Sequence, residues 1–77
     1  MRVVQEYFRG GYNITPSDTD TIRETRALYI GGFGDLKVDM ADGSTVTFTG
    51  IDAGLYGFAV KRIYSTGSTA TNIVALY

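Results

Sequence analysis

Apolar and polar residues alternate with a period of two in two neighbouring runs of the chain, the pattern of strands with one covered face. Leu36, Val38 and Met40 alternate with Lys37 and Asp39, and Val46 and Phe48 alternate with Thr45, Thr47 and Thr49. Parity decides the turn that joins these runs. A two-residue Asp42-Gly43 loop pairs Val38 with Thr47 and Met40 with Thr45, which puts the two apolar sets on opposite faces. A three-residue loop, Ala41-Asp42-Gly43, pairs Val38 with Val46 and Leu36 with Phe48 and keeps a single apolar face. The spacing therefore predicts a type I turn closed by a bulge, with Gly43 in the left-handed conformation.

The rest of the chain reads in the same terms. Arg26-Ala27-Leu28-Tyr29-Ile30 is a strand that ends at a turn, Gly31-Gly32-Phe33-Gly34. Residues 58–66 form a strand of imperfect alternation, because Phe58 and Val60 share a parity that Ile63 lacks. A bulge near Lys61-Arg62 restores one face; alternatively both faces are buried, one in the domain and one in an interface. Residues 72–77 are an almost unbroken apolar run, the mark of a strand covered on both sides. Residues 15–25 are polar and turn-rich. Ser17 and Thr21 each precede an acid by three residues, the spacing of a helix capping box, so this is a loop with at most one helical turn. Ahead of it Val3, Val4, Tyr7 and Phe8 lead to Gly10-Gly11, either a helical turn or an extended arm. The arm docks on a neighbour or packs on its own domain, and the residues leave that open. The expected architecture is all-β: a small antiparallel β-barrel or sandwich of five to six short strands, residues 15–77, behind an N-terminal arm, residues 1–14.

Size changes the picture. A chain of 77 residues is one domain, and a domain this small buries only about 60% of the surface its unfolded chain exposes. Disulfides, a metal or a partner subunit usually supply the missing stability. With no Cys and no His, the sequence offers neither a disulfide framework nor a conventional zinc site, which leaves oligomerisation. We expect a homo-oligomer, a trimer or a pentamer. The formal net charge is −1, and Lys61-Arg62 is the one pair of adjacent basic residues, so nucleic acid is not an expected partner. No apolar run approaches the length of about 18 residues that marks a membrane span. Met1 to Gly10 carries Glu6 and Arg9 without an apolar stretch, unlike a signal peptide, so synthesis in a cytoplasm is expected.

Candidate chemistry is sparse. Asp18-Thr19-Asp20 offers two carboxylates, far short of the six to eight oxygens a calcium ion takes, and a solvated turn is the plainer reading. Gly31-Gly32-Phe33-Gly34 precedes a strand pattern rather than the helix a phosphate loop requires. Asn13-Ile14-Thr15 is a glycosylation sequon, relevant only in a secreted eukaryotic protein. Without His or Cys there is little for acid–base or nucleophilic catalysis, so we expect no enzyme, no catalytic residues and no cofactor. The aromatic and apolar residues are the better candidates. Phe48 and Phe58 read as core. Tyr56, in a glycine-punctuated loop, reads equally as core or interface. The expected oligomer or partner interface comprises Tyr7, Phe8, Tyr56, Ile73, Val74, Leu76 and Tyr77.

Four pieces of the sequence carry a family resemblance: residues 15–19 (Thr-Pro-Ser-Asp-Thr), residues 26–32 (Arg-Ala-Leu-Tyr-Ile-Gly-Gly), residues 46–50 (Val-Thr-Phe-Thr-Gly) and residues 65–77 (Ser-Thr-Gly-Ser-Thr-Ala-Thr-Asn-Ile-Val-Ala-Leu-Tyr). From Thr15 to Tyr77 the chain resembles the base protein of the head spikes on gene transfer agents and related tailed phages. The resemblance implies a non-enzymatic virion part on the capsid surface, made in a bacterial host, that contacts capsid protein and carries a fibre. It leaves the first fourteen residues unmatched, as a segment that would meet the capsid. The rival readings are a decoration (cement) protein that reinforces the shell, and a carbohydrate-binding β-module using Tyr56 and its neighbours.

Overall fold

The structure, a computed structural model, describes residues 8–77. These residues form an open β-sandwich, not a closed barrel: β1 (Gly11–Asn13), β2 (Ala27–Gly32), β3 (Gly34–Met40), β4 (Thr45–Ile51), β5 (Gly54–Tyr56), β6 (Val60–Ile63) and β7 (Thr71–Leu76). Sheet A has the order β1-β7-β2-β5 and sheet B the order β4-β3-β6, with every pairing antiparallel. The count is seven strands, against the five to six expected. The two additions, β1 and β5, are three-residue strands in glycine-rich stretches. Alternation cannot be recognised over three residues, and their pairing is imposed by β7 and β2.

The hairpin β3–β4 has the anticipated register, with Leu36 opposite Phe48 and Val38 opposite Val46. Gly43 sits at φ 93°, and Met40 N–H donates to Ser44 O at 2.7 Å across the three-residue loop. The bulge in β6 is also present. Val38 faces Ile63, Asp39 faces Arg62 and Met40 faces Val60, so Lys61 is the extra residue and both Val60 and Ile63 turn inward. Leu28, Ile30, Ile73 and Ala75 from sheet A meet Leu36, Val38, Val60 and Ile63 from sheet B in one buried core, with Ala70 beside them.

Two segments depart from the expectation. Gly31-Gly32-Phe33-Gly34 is not a turn. A single residue, Phe33, separates β2 in sheet A from β3 in sheet B, so the chain bends from one layer into the other. Such a bend is how a strand makes the corner of a sandwich. The corner packs tightly on residues 69–72: a Cβ on Gly32 would collide with Thr71 Oγ1, and one on Gly34 would lie 2.5 Å from Ala70 N. Residues 14–26 form no helical turn but run along the outer edge of β6. Ser17, Ile22 and Thr25 donate their N–H groups to Ile63, Lys61 and Val60 carbonyls at 2.8–3.0 Å. Buried Thr25 adds its hydroxyl, which donates to Phe58 O at 2.7 Å and accepts from Val60 N at 3.0 Å.

Candidate subunit interface

Strand β7 has two neighbours, β1 and β2, and its two faces have different fates. Ile73 and Ala75 point into the core, whereas Val74 and Leu76 stand on the outer face of sheet A and are half-buried. The registers place Asn13 beside Val74, Val74 beside Tyr29, and Tyr29 beside Leu55. These four side chains form one row across all four strands, about 14 Å long at a spacing of 4.7–4.9 Å. Leu76 and Ala27 form a second row below it. Tyr29 keeps 46% of its surface exposed and Leu55 57%, and it is their adjacency in one row that makes a patch.

Two open depressions flank Tyr29 and Ala27. One, of about 360 Å³, is bounded by Asn13, Ile14, Tyr29, Asn72, Ile73 and Val74. The other, of about 400 Å³, is bounded by Phe8, Arg26, Ala27, Leu55 and Gly57. An apolar sheet face with recesses and a polar margin of Asn13, Asn72 and Arg26 is suited to a protein partner.

The structure does not bring the expected residues together. Phe8, Val74 and Leu76 lie on this face. Ile73 is in the core. Tyr56 lies inward: its ring stacks on Phe58 at 5.3 Å, Phe58 stacks on Phe48 at 4.4 Å, and its hydroxyl donates to Asp52 O at 2.7 Å. Tyr77 is held between the Tyr12 ring, 6.0 Å away, and the Arg23 guanidinium, 3.8 Å from its centroid. Tyr7 lies outside the described residues. Sequence reasoning missed Tyr29 and Leu55. Their signal was parity: Tyr29 interrupts the buried residues Leu28 and Ile30, and Leu55 takes the parity opposite to Tyr56.

The outer face of sheet B is polar by contrast. Asp39 accepts from Thr45 Oγ1 at 2.6 Å and Tyr64 Oη at 3.0 Å, and pairs with Arg62 at 3.2 Å. The Thr45 hydrogen bond, then Tyr64 and the Arg62 charge, hold its carboxyl below the usual aspartate range against the effect of burial. Asp18 is occupied within the fold. Its carboxylate accepts from the backbone N–H of Ser65 and Thr66 at 3.0 and 2.9 Å, and from the Thr66 hydroxyl at 2.6 Å. These bonds, Thr66 foremost, lower its pKa. Among the described residues no three His, Cys, Asp or Glu side chains are grouped to hold a metal ion, and no helix is long and apolar enough to cross a membrane.

No protein-family model and no curated protein matches the chain. Among solved structures it is similar to a chain of the capsid of a native gene transfer agent particle computed with C5 symmetry. The TM-score is 0.82 and the identity 32%, over 97% of this chain and 92% of that one, so the similarity reaches past Thr15 into the N-terminal segment. The all-β sandwich and this match define a phage-like virion structural protein. The chain belongs to the family of that gene transfer agent capsid-particle chain.

Proposed function

We propose that the chain is the ring-forming base of a head spike, or the adaptor that seats a fibre, on the surface of a phage-like capsid. The observation that carries this reading is the similarity, end to end, to a chain of a gene transfer agent capsid particle. The open row of Tyr29, Val74 and Leu55 supports the reading from the physical side. A domain with so small a core gains stability by covering such a face with a neighbour, and Phe8, Leu76 and the recess beside Ala27 extend the area available. The N-terminal segment and Tyr77 then serve the margins of that contact. The role is structural, without substrate or cofactor.

The test is to delete the gene and image the particles by electron cryomicroscopy. Heads of normal size that lack vertex projections are expected. Heads that keep their projections but burst on mild heating would instead make the chain a cement protein.

A further inference from the structure

The loop between β3 and β4 contains the one Asp-Gly step of the sequence, and no Asn-Gly step occurs. This step is open to a backbone rearrangement that needs no enzyme and no oxidant. Glycine carries no Cβ to shield its nitrogen, so that nitrogen can reach the carboxyl carbon of the residue before it. A bond forms between Gly43 N and Asp42 Cγ, and the carboxyl hydroxyl leaves with the N–H proton as water. The product is a succinimide ring. Water then adds back to either ring carbonyl. Addition at Cγ restores aspartate. Addition at the main-chain carbonyl breaks the original peptide bond and leaves the chain running through Cβ and Cγ, an isoaspartate of unchanged mass. The other aspartates, Asp18, Asp20, Asp35, Asp39 and Asp52, are each followed by a residue with a side chain.

Burial does not protect the site, because Asp42, Gly43 and Ser44 are all exposed. Hydrogen bonds restrain both reacting groups instead. The attacking nitrogen is engaged: Gly43 N–H donates to Met40 O at 2.9 Å. The carboxyl is engaged as well. Asp42 Oδ1 accepts from Ser44 N at 2.9 Å and from Ser44 Oγ at 2.6 Å, the turn an aspartate makes with the residue two further on. The Ser44 hydroxyl, then the Ser44 N–H and the nearby Lys61 charge, hold the carboxyl below the usual aspartate range. It therefore stays ionised, and a carboxylate lacks the hydroxyl that must leave.

We infer that Asp42 is the site at which this chain is modified to isoaspartate, and that the two Ser44 hydrogen bonds keep the site closed while the hairpin is folded. The reaction then follows opening of the loop, not its exposure. Its effect is local and lasting. Isoaspartate inserts an extra carbon into a loop whose length sets Val38 opposite Val46 and Leu36 opposite Phe48. It also displaces the Met40–Gly43 and Met40–Ser44 bonds that close the turn. A modified copy holds β3 against β4 less firmly. On the virion reading such copies accumulate in a particle, where no subunit is resynthesised.

The experiment incubates the purified chain at neutral pH, folded and in urea. Isoaspartate is counted by methyl transfer from an isoaspartyl methyltransferase and located by mass spectrometry of the peptides. In urea it should appear at residue 42 ahead of every other aspartate. In the folded chain it should form at least about tenfold more slowly, since only opened molecules react. Ser44→Ala removes the hydroxyl bond and should form it several-fold faster than wild type while folded. Ser44→Thr keeps both donors and should match wild type. Thr66→Val loses a bond to Asp18 but leaves the loop's own bonds intact, so it separates loop opening from a general loss of stability. Equal rates in the folded chain and in urea overturn the inference, as does isoaspartate that gathers first at another residue. An unchanged rate in Ser44→Ala, or a Thr66→Val rate that rises as far as that of Ser44→Ala, removes Ser44 from the role.

Discussion

Gly43 and Asp18 mark the two ends of what a residue reveals about its own role. Gly43 was legible because both strands it joins alternate cleanly, and only one loop length keeps Val38, Val46, Leu36 and Phe48 on one face. At φ 93° a side chain is strained, so Gly43→Val should destabilise the fold by about 1–2 kcal/mol. A urea titration showing no shift of the midpoint would contradict this. Asp18 was not legible, because its partners Ser65 and Thr66 are 47 and 48 residues away and nothing local announces them. Its lowered pKa fixes the sign of a pH effect. A carboxyl with a folded-state pKa below its unfolded one contributes stability above the ordinary aspartate range, and loses it as pH falls through the folded value. Asp18→Asn should therefore melt lower than wild type at neutral pH, and the gap should narrow on acidification into that range. A gap that widens with acid would reverse the assignment. Asn72, at φ 54°, is a third case: the left-handed conformation is one asparagine tolerates, but only the structure shows that the chain needs it there.

Among the elements, the strands whose residues alternate or run apolar were readable, and those made by their neighbours were not. Parity offers either a bulge near Lys61-Arg62 or burial of both faces, and the register of β6 on β3 selects the bulge. The three-residue strands β1 and β5 and the bend at Phe33 were not readable, since glycine-rich sequence serves turns, corners and short edges alike. The unbroken apolar run of β7 reads as a strand covered on both faces, but this chain buries only the face of Ile73 and Ala75. Its other face, Val74 and Leu76, is only half-covered by this chain. Tyr77 donates to Gly10 O and accepts from Arg9 and Gly10 N–H, and Leu76 O accepts from Arg26 N–H. Removing Leu76 and Tyr77 deletes these bonds and two half-buried side chains, each worth part of the about 1.5–3 kcal/mol that full burial gives. Against a total of about 5–15 kcal/mol for a domain, that loss should leave the truncated chain unfolded or insoluble by circular dichroism and sedimentation.

For the molecule as a whole, the candidate interface was half-legible. Val74, Leu76 and Phe8 were foreseeable as apolar residues with too little core to fill. Tyr29 and Leu55 were hidden because an isolated exposed residue looks in sequence like part of a buried run. The two should matter to assembly and not to folding. Tyr29→Asp with Leu55→Asp should leave the monomer's melt within about 0.5 kcal/mol of wild type, the usual range for surface changes, while native mass spectrometry loses the oligomer. An oligomer that survives both charges would move the interface elsewhere. Thermal melts with EDTA, calcium, zinc or ATP should superimpose, because any ligand bound only by the native state raises its stability.

The bend at Phe33 has a mechanical consequence. One backbone runs from the middle of sheet A to the middle of sheet B, so the layers cannot be pulled apart without loading β2 against β7 and β3 against β4 lengthwise. Bonds loaded that way must rupture together. Arg9 and Tyr77, by contrast, are paired at one edge, where tension opens the ladder one bond at a time. The domain should resist force applied between Ala27 and Met40, the far ends of β2 and β3, far better than force applied between residues 9 and 77, and single-molecule pulling from engineered attachment points at each pair would measure that anisotropy.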